Sequence, residues 1–136
     1  ALVFGVAGAL GTLLRMPQAG LPGAELGVAL SVLALGACLL LRRAPATALL
    51  AAGAAVAGLM HGYAFGEAVI GAEATPVVAY LAGLGAVQAA LLVLARAVGR
   101  WLAQRAPQHV GASMRAAGTA TLAVGLVSVL GALTAV

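Results

Sequence analysis

The sequence predicts an all-α fold, a polytopic transmembrane helix bundle with five spans, on three observations. The 136 residues are 64% hydrophobic and 7% charged, whereas a soluble domain carries roughly 25% charged residues on its surface. Five apolar blocks reach or approach the roughly 20 helical residues that cross a hydrocarbon core about 30 Å thick. Arginine alternates between rich and poor in the connections between those blocks, as a membrane topology requires. Spanning β-strands do not fit, because the blocks lack period-2 alternation and exceed the roughly 9–11 residues of a barrel strand. Their Ala and Leu content favours helix.

The elements follow in order within one transmembrane domain, 1–136. The first helix covers about 1–15 and ends near Arg15, before a turn marked by Pro17, Gly20, Pro22 and Gly23. The second covers about 24–41 and stops at Arg42 and Arg43. Pro45 opens the third, about 46–66, as a first-turn proline. A polar link from Glu67 to Thr75 follows. Thr75 suits an N-cap with Pro76 at the first helical position of the fourth helix, about 76–95. A basic connection, 96–113, leads to the fifth helix, about 114–136.

All seven cations are Arg. Connections two–three and four–five hold Arg42, Arg43, Arg96, Arg100, Arg105 and Arg115; the other two hold only Arg15. The Arg-rich side is therefore expected to be cytoplasmic, which puts 96–113 in the cytoplasm and the glutamates at the outer face. The chain starts at Ala1 inside an apolar segment, so processing or a missing N-terminal part is expected, and a processed N-terminus on the outside would need one more span before Ala1.

The net charge of +4 does not indicate nucleic acid, because the Arg residues sit at helix ends without an aromatic–basic patch. Cys38 is alone in an apolar run, which excludes a disulfide framework and a Cys-rich metal site. No phosphate loop, serine elbow or His-Glu-x-x-His motif is present, and an enzyme is not expected.

Ionisable groups at membrane depth are rare and mark functional sites. Three glutamates, Glu25, Glu67 and Glu73, are the whole acidic inventory, and His61 is the histidine inside an apolar block. His61 is the leading metal-ligand or proton-relay candidate, since neutral imidazole binds nickel, zinc and copper; the alternative is a helix-packing hydrogen bond. Glu67 lies about 240° around the helix from His61, so the two converge only if the helix changes geometry near Gly66. Glu67 and Glu73 are otherwise solvated acids. Glu25 also suits the positive end of a helix dipole. Gly58, Gly62 and Gly66 form a small-residue ridge for close helix approach. Trp101 beside the Arg residues suits a headgroup anchor.

Pro22-Gly23-Ala24-Glu25-Leu26-Gly27-Val28-Ala29-Leu30-Ser31 together with His61-Gly62-Tyr63-Ala64-Phe65-Gly66 resembles the HupE/UreJ family of hydrogenase and urease accessory membrane proteins, regarded as nickel or cobalt permeases. The resemblance covers roughly 1–99 and extends more loosely to the end. It implies six spans in the full family pattern, a first helix with a His-Pro and Asp-His motif that is not in this sequence, and residence in the bacterial inner membrane. It also implies a transported Ni2+ or Co2+ and no permanently bound cofactor. Phe65 stands where the family usually has a second histidine, and the acid after the motif comes one position early, at Glu67.

Two functions follow as expectations. The first is a permease or binding protein for a divalent transition metal, with His61, Glu67, Glu73 and Glu25 as the metal-handling residues. The second is a structural or accessory subunit of a larger membrane complex, with partner subunits or a second copy of the chain against its helices. Both place the chain in a lipid bilayer.

Overall fold

The computed structural model describes residues 2–15, 23–41 and 45–134. Five α-helices follow one another: α1 Leu2–Arg15, α2 Ala24–Leu41, α3 Thr47–Phe65, α4 Ala74–Arg105 and α5 Pro107–Thr134, with a 3-10 turn at Gly66–Val69 between α3 and α4. No strand occurs among the described residues. α2, α5, α4 and the α3 segment are each long and apolar enough to cross a membrane, and α1, with 14 residues, is a shorter apolar helix. The fold is thus an all-α membrane bundle with four to five such helices. The expected Pro17, Pro22, Arg42 and Arg43 signals lie outside the described residues.

Two intimate helix pairs make the frame. In the first, α1 lies on α3 through glycine backbones. Gly58 meets Phe4 of α1, Gly62 meets the backbone of Gly8, and Gly66 meets Arg15 and the carbonyl of Thr12. All three ridge glycines are buried, as small residues must be where two helix backbones touch. The residue pairing rises together on both helices, so α1 and α3 run in the same direction. In the second pair, Gly36 of α2 faces Leu122, and Gly125 and Gly118 of α5 face Leu33 and Leu39. Here the numbering runs oppositely, so α2 and α5 are antiparallel. Gly27 of α2 against Met60 of α3 joins the two pairs.

α4 starts where α3 ends. The turn is made by Gly71 at φ +75°, a left-handed conformation that suits glycine. Tyr80 of α4 donates to the carbonyl of Phe65 at 3.0 Å, satisfying one of the α3 C-terminal acceptors that a helix end leaves open. α4 then returns along α1, but of its 32 residues only Val77 is buried. The up–down course collects Arg15, Glu25, Glu67 and Glu73 at one end of the bundle and Arg96, Arg100, Arg105 and Arg115 toward the other.

Two boundaries differ from expectation. The stretch 96–113 is not a loop: α4 continues to Arg105, Ala106 alone breaks it at φ −146° and ψ 57°, and α5 starts at Pro107. Residues 96–105 are mostly Ala, Arg, Leu and Gln, strong helix formers, and the first proline is Pro107, at the first helical position where its missing N–H is harmless. α4 therefore spans about 48 Å at 1.5 Å per residue, longer than the hydrocarbon core, and projects with the start of α5 on the Arg-rich side. The α4 cap is also shifted. Glu73, not Thr75, is the N-cap, and its side chain makes no capping hydrogen bond; Pro76 falls within the first turn, where proline is tolerated. Similarly, Pro45 precedes α3, whose N-cap is Ala46.

The up–down course gives a direct expectation. In a Cys38→Ser background, Glu73→Cys and Arg105→Cys label with an impermeant maleimide from opposite sides of sealed vesicles. Labelling of both from one side would contradict the bundle's polarity.

Candidate functional site

His61 sits one turn before the end of α3, half-buried. Its Nδ1 lies 2.9 Å from the carbonyl oxygen of Ala57. A carbonyl only accepts, so this contact requires the proton on Nδ1. In the neutral ring Nε2 then keeps its lone pair, the form in which imidazole binds a metal. The ring is held edgewise by Phe4 of α1, with centroids 5.5 Å apart, and by Phe65 on its own helix, 6.3 Å away. Both pairs adopt the tilted geometry that aromatic quadrupoles favour. Phe65 is four residues after His61, on the same helix face. It contributes an apolar ring beside the imidazole.

The surrounding grip comes from α1. Thr12 is fully buried, and its hydroxyl shares one proton between the carbonyls of Gly62, at 2.9 Å, and Gly8, at 3.1 Å. The Gly62 carbonyl belongs to the residue next to His61, so the hydroxyl fixes α1 to α3 at the candidate site. One turn further, Arg15 donates through Nη1 to the Tyr63 hydroxyl at 3.0 Å and its guanidinium lies 5.0 Å from the Tyr63 ring centre. Tyr63 is buried. Gly62 and Tyr63, the two residues after His61, are thus locked against α1, and the imidazole has phenyl rings at its edges.

The three glutamates share the end of the bundle beyond His61 and are exposed. Glu25 occupies the first turn of α2, after Gly23 at φ +84°. Glu67 lies in the 3-10 turn. Glu73 caps α4. α3 does change geometry at Gly66, but it tightens into a 3-10 turn with Glu67 exposed. Among the described residues, no three His, Cys, Asp or Glu side chains gather as a metal-holding group. The structure thus places three exposed carboxylates at one end of the bundle and a single half-buried imidazole further along α3.

Sequence reasoning missed Thr12, Phe4 and the Arg15–Tyr63 contact. Thr12 was detectable in principle, because Gly8, Gly11 and Thr12 recur on one face of α1 as a counterpart to the α3 ridge. No local signal pairs Phe4 with His61 or Arg15 with Tyr63, which depend on the parallel packing of two helices distant in sequence.

The Thr12 contact has a measurable consequence. Thr12→Val keeps the shape and loses the donor, and is expected to destabilise the bundle by about 0.6–1.5 kcal/mol, the range for interhelical hydrogen bonds in membranes. Thr12→Ser restores most of it. Unfolding in mixed micelles measures both; equal stability of Thr12→Val and the unaltered chain would show that the hydroxyl contributes nothing.

The family model described as HupE / UreJ protein matches residues 1–128. No curated protein and no solved structure matches the chain.

Proposed function

This chain belongs to the HupE/UreJ family, and we propose that it binds and moves a divalent transition metal, nickel or cobalt, across the bacterial inner membrane. Membership supports a metal-handling membrane protein with no catalytic chemistry. The observation that carries the finer reading is the imidazole of His61, whose Nδ1 is anchored on Ala57 and whose Nε2 is left for a soft or borderline cation. Glu67, Glu73 and Glu25 lie on the side from which the cation arrives. Exposed carboxylates raise the local concentration of cations and hand them on, because they bind weakly in water. His61 is then the inner ligand, about 9 Å deeper than Glu67 by the helix rise. A single protein imidazole with water and carboxylates filling the remaining positions suits an ion in transit better than a permanently held one, whose structural sites usually have four protein ligands. The sequence holds no nucleotide-binding motif, so passage is secondary or channel-like, or uses a partner's energy.

Nickel flux into vesicles reconstituted with the purified chain tests this. Uptake above protein-free vesicles, competed by cobalt and insensitive to magnesium, is the expected result. A second reading is favoured by α4, which buries only Val77 against its own chain. It makes the protein a subunit that serves a larger membrane assembly without moving metal. Absence of flux together with a stable stoichiometric membrane partner would favour that reading.

A further inference from the structure

We propose that the groove between α1 and α4 is a binding site for an anionic phospholipid of the Arg-rich leaflet, with an acyl chain along the groove and the phosphate at Arg96 and Arg100. The groove has a volume of about 380 Å3 and is lined by Leu2, Val6 and Ala9 on α1 and by Leu81, Gly85 and Leu92 on α4. Gln88 is the one polar side chain among its lining residues. An apolar groove open to the bilayer is filled by hydrocarbon, since an empty one forfeits dispersion contacts along its walls.

Three features select a lipid from one leaflet. The first is depth. From Leu81 to Leu92 the helix rises about 16 Å, close to the roughly 15 Å that one leaflet contributes to the hydrocarbon core. The second is register. At 100° per residue, Leu81, Gly85, Gln88, Leu92 and Arg96 fall within about 80° of one another on α4. Arg96 therefore continues the groove face one turn beyond Leu92, at headgroup depth, and Arg100 follows a turn later at its edge. The third is charge. From Ala74 to Thr134 the chain carries Arg96, Arg100, Arg105 and Arg115 and no acid, so the end of the groove faces a uniformly basic segment. Guanidinium groups bind phosphate as a planar fork, and a juxtamembrane cluster of cations is the electrostatic signature of anionic lipid recognition. A zwitterionic lipid fills the same groove but gains less from the cluster. The site is independent of the proposed metal path, because its lining includes neither His61 nor the glutamates.

Native mass spectrometry of the full chain, released from detergent in the presence of equal amounts of dioleoyl phosphatidylglycerol and dioleoyl phosphatidylcholine, tests the site. Retained phosphatidylglycerol should exceed phosphatidylcholine. Arg96→Gln combined with Arg100→Gln should lower that preference roughly 10- to 30-fold, from the contribution of about 1 kcal/mol per cation near an anionic surface. Gly85→Leu places a side chain into the groove from a position with open space around it, so folding is preserved and retention of both lipids should fall. Millimolar inorganic phosphate should not displace the lipid, because the acyl groove contributes to its binding. Equal retention of the two lipids by the unaltered chain, unchanged retention in these variants, or displacement by phosphate would overturn the proposal. So would an efficient disulfide between two copies carrying Leu84→Cys in a Cys38→Ser background, which would give the groove to a second copy of the chain.

Discussion

Gly62→Leu separates α1 from α3 and abolishes the native bundle. At Gly62 even a Cβ would collide with the carbonyl of Gly8, and the obstacle is backbone rather than the end of a flexible side chain. The collision cannot be relieved by a rotamer change, so the helices must move apart. That movement removes the Thr12 hydroxyl from the Gly62 carbonyl and the Phe4 ring from His61, and loosens the contact of Gly11 with Leu59 and Tyr63. Overpacking of a well-packed interface costs typically 1–3 kcal/mol and occasionally more, and here several contacts are lost with it. Because lipid tails are as apolar as Leu, no hydrophobic force pulls the separated helices back. Gly62→Ala should already be clearly destabilised. Gly53→Leu, on the same helix with open space around it, should behave as the unaltered chain. Unfolding midpoints in mixed micelles decide the matter: a Gly62→Leu midpoint equal to that of Gly53→Leu would show that α1 and α3 do not pack in this way.

The ridge on α3 was legible in the sequence because Gly58, Gly62 and Gly66 repeat every four residues, and the helical period puts them on one face. Helix number, the acidic and basic ends and the alternating course were legible for a similar reason: apolar length and Arg placement are local properties. The partner of the ridge was not legible, since several helices carry glycines and only packing selects α1. The fate of 96–113 was misjudged because a run of arginines marks the edge of a membrane span without marking the end of a helix. Propensity continued through Ala95 to Arg105, and only Pro107 imposed a break. Around His61 the sequence nominated the imidazole and the acids as candidates, but gave no sign of the tautomer-setting bond to Ala57, the phenyl edges or the Thr12 anchor. Those depend on rotamers and on a helix some fifty residues away. Phe65 stands in the sequence where the resemblance implies a second histidine, and the structure puts its ring beside His61.

His61→Ala should lower nickel binding and flux at least tenfold while leaving the bundle folded. The magnitude is bounded from below by second-shell changes, which typically reduce metal affinity 10- to 100-fold, and here the ligand itself is removed. The fold should survive because the principal contacts between α1 and α3 are made by Gly8, Thr12 and Arg15, not by the histidine; what is lost is the hydrogen bond to Ala57 within α3 and the edgewise contacts with Phe4 and Phe65, each worth about 0.5–1.5 kcal/mol. His61→Phe is the stricter control, since it retains an aromatic ring between the two phenyl edges and removes Nε2. If ligation is the role of the imidazole, His61→Phe is folded and inactive. If packing is its role, His61→Phe is folded and active. The acids should behave differently. Glu67→Gln and Glu73→Gln together should weaken uptake most at low nickel and low ionic strength, because exposed charges act by attraction that salt screens, and saturating nickel should recover much of the rate. His61 variants should not be recovered by saturating nickel. Isothermal titration with the purified chain, paired with vesicle flux over a nickel concentration series, distinguishes these patterns. Full binding and flux in His61→Phe would remove His61 from the metal path and leave it as a packing residue between α1 and α3.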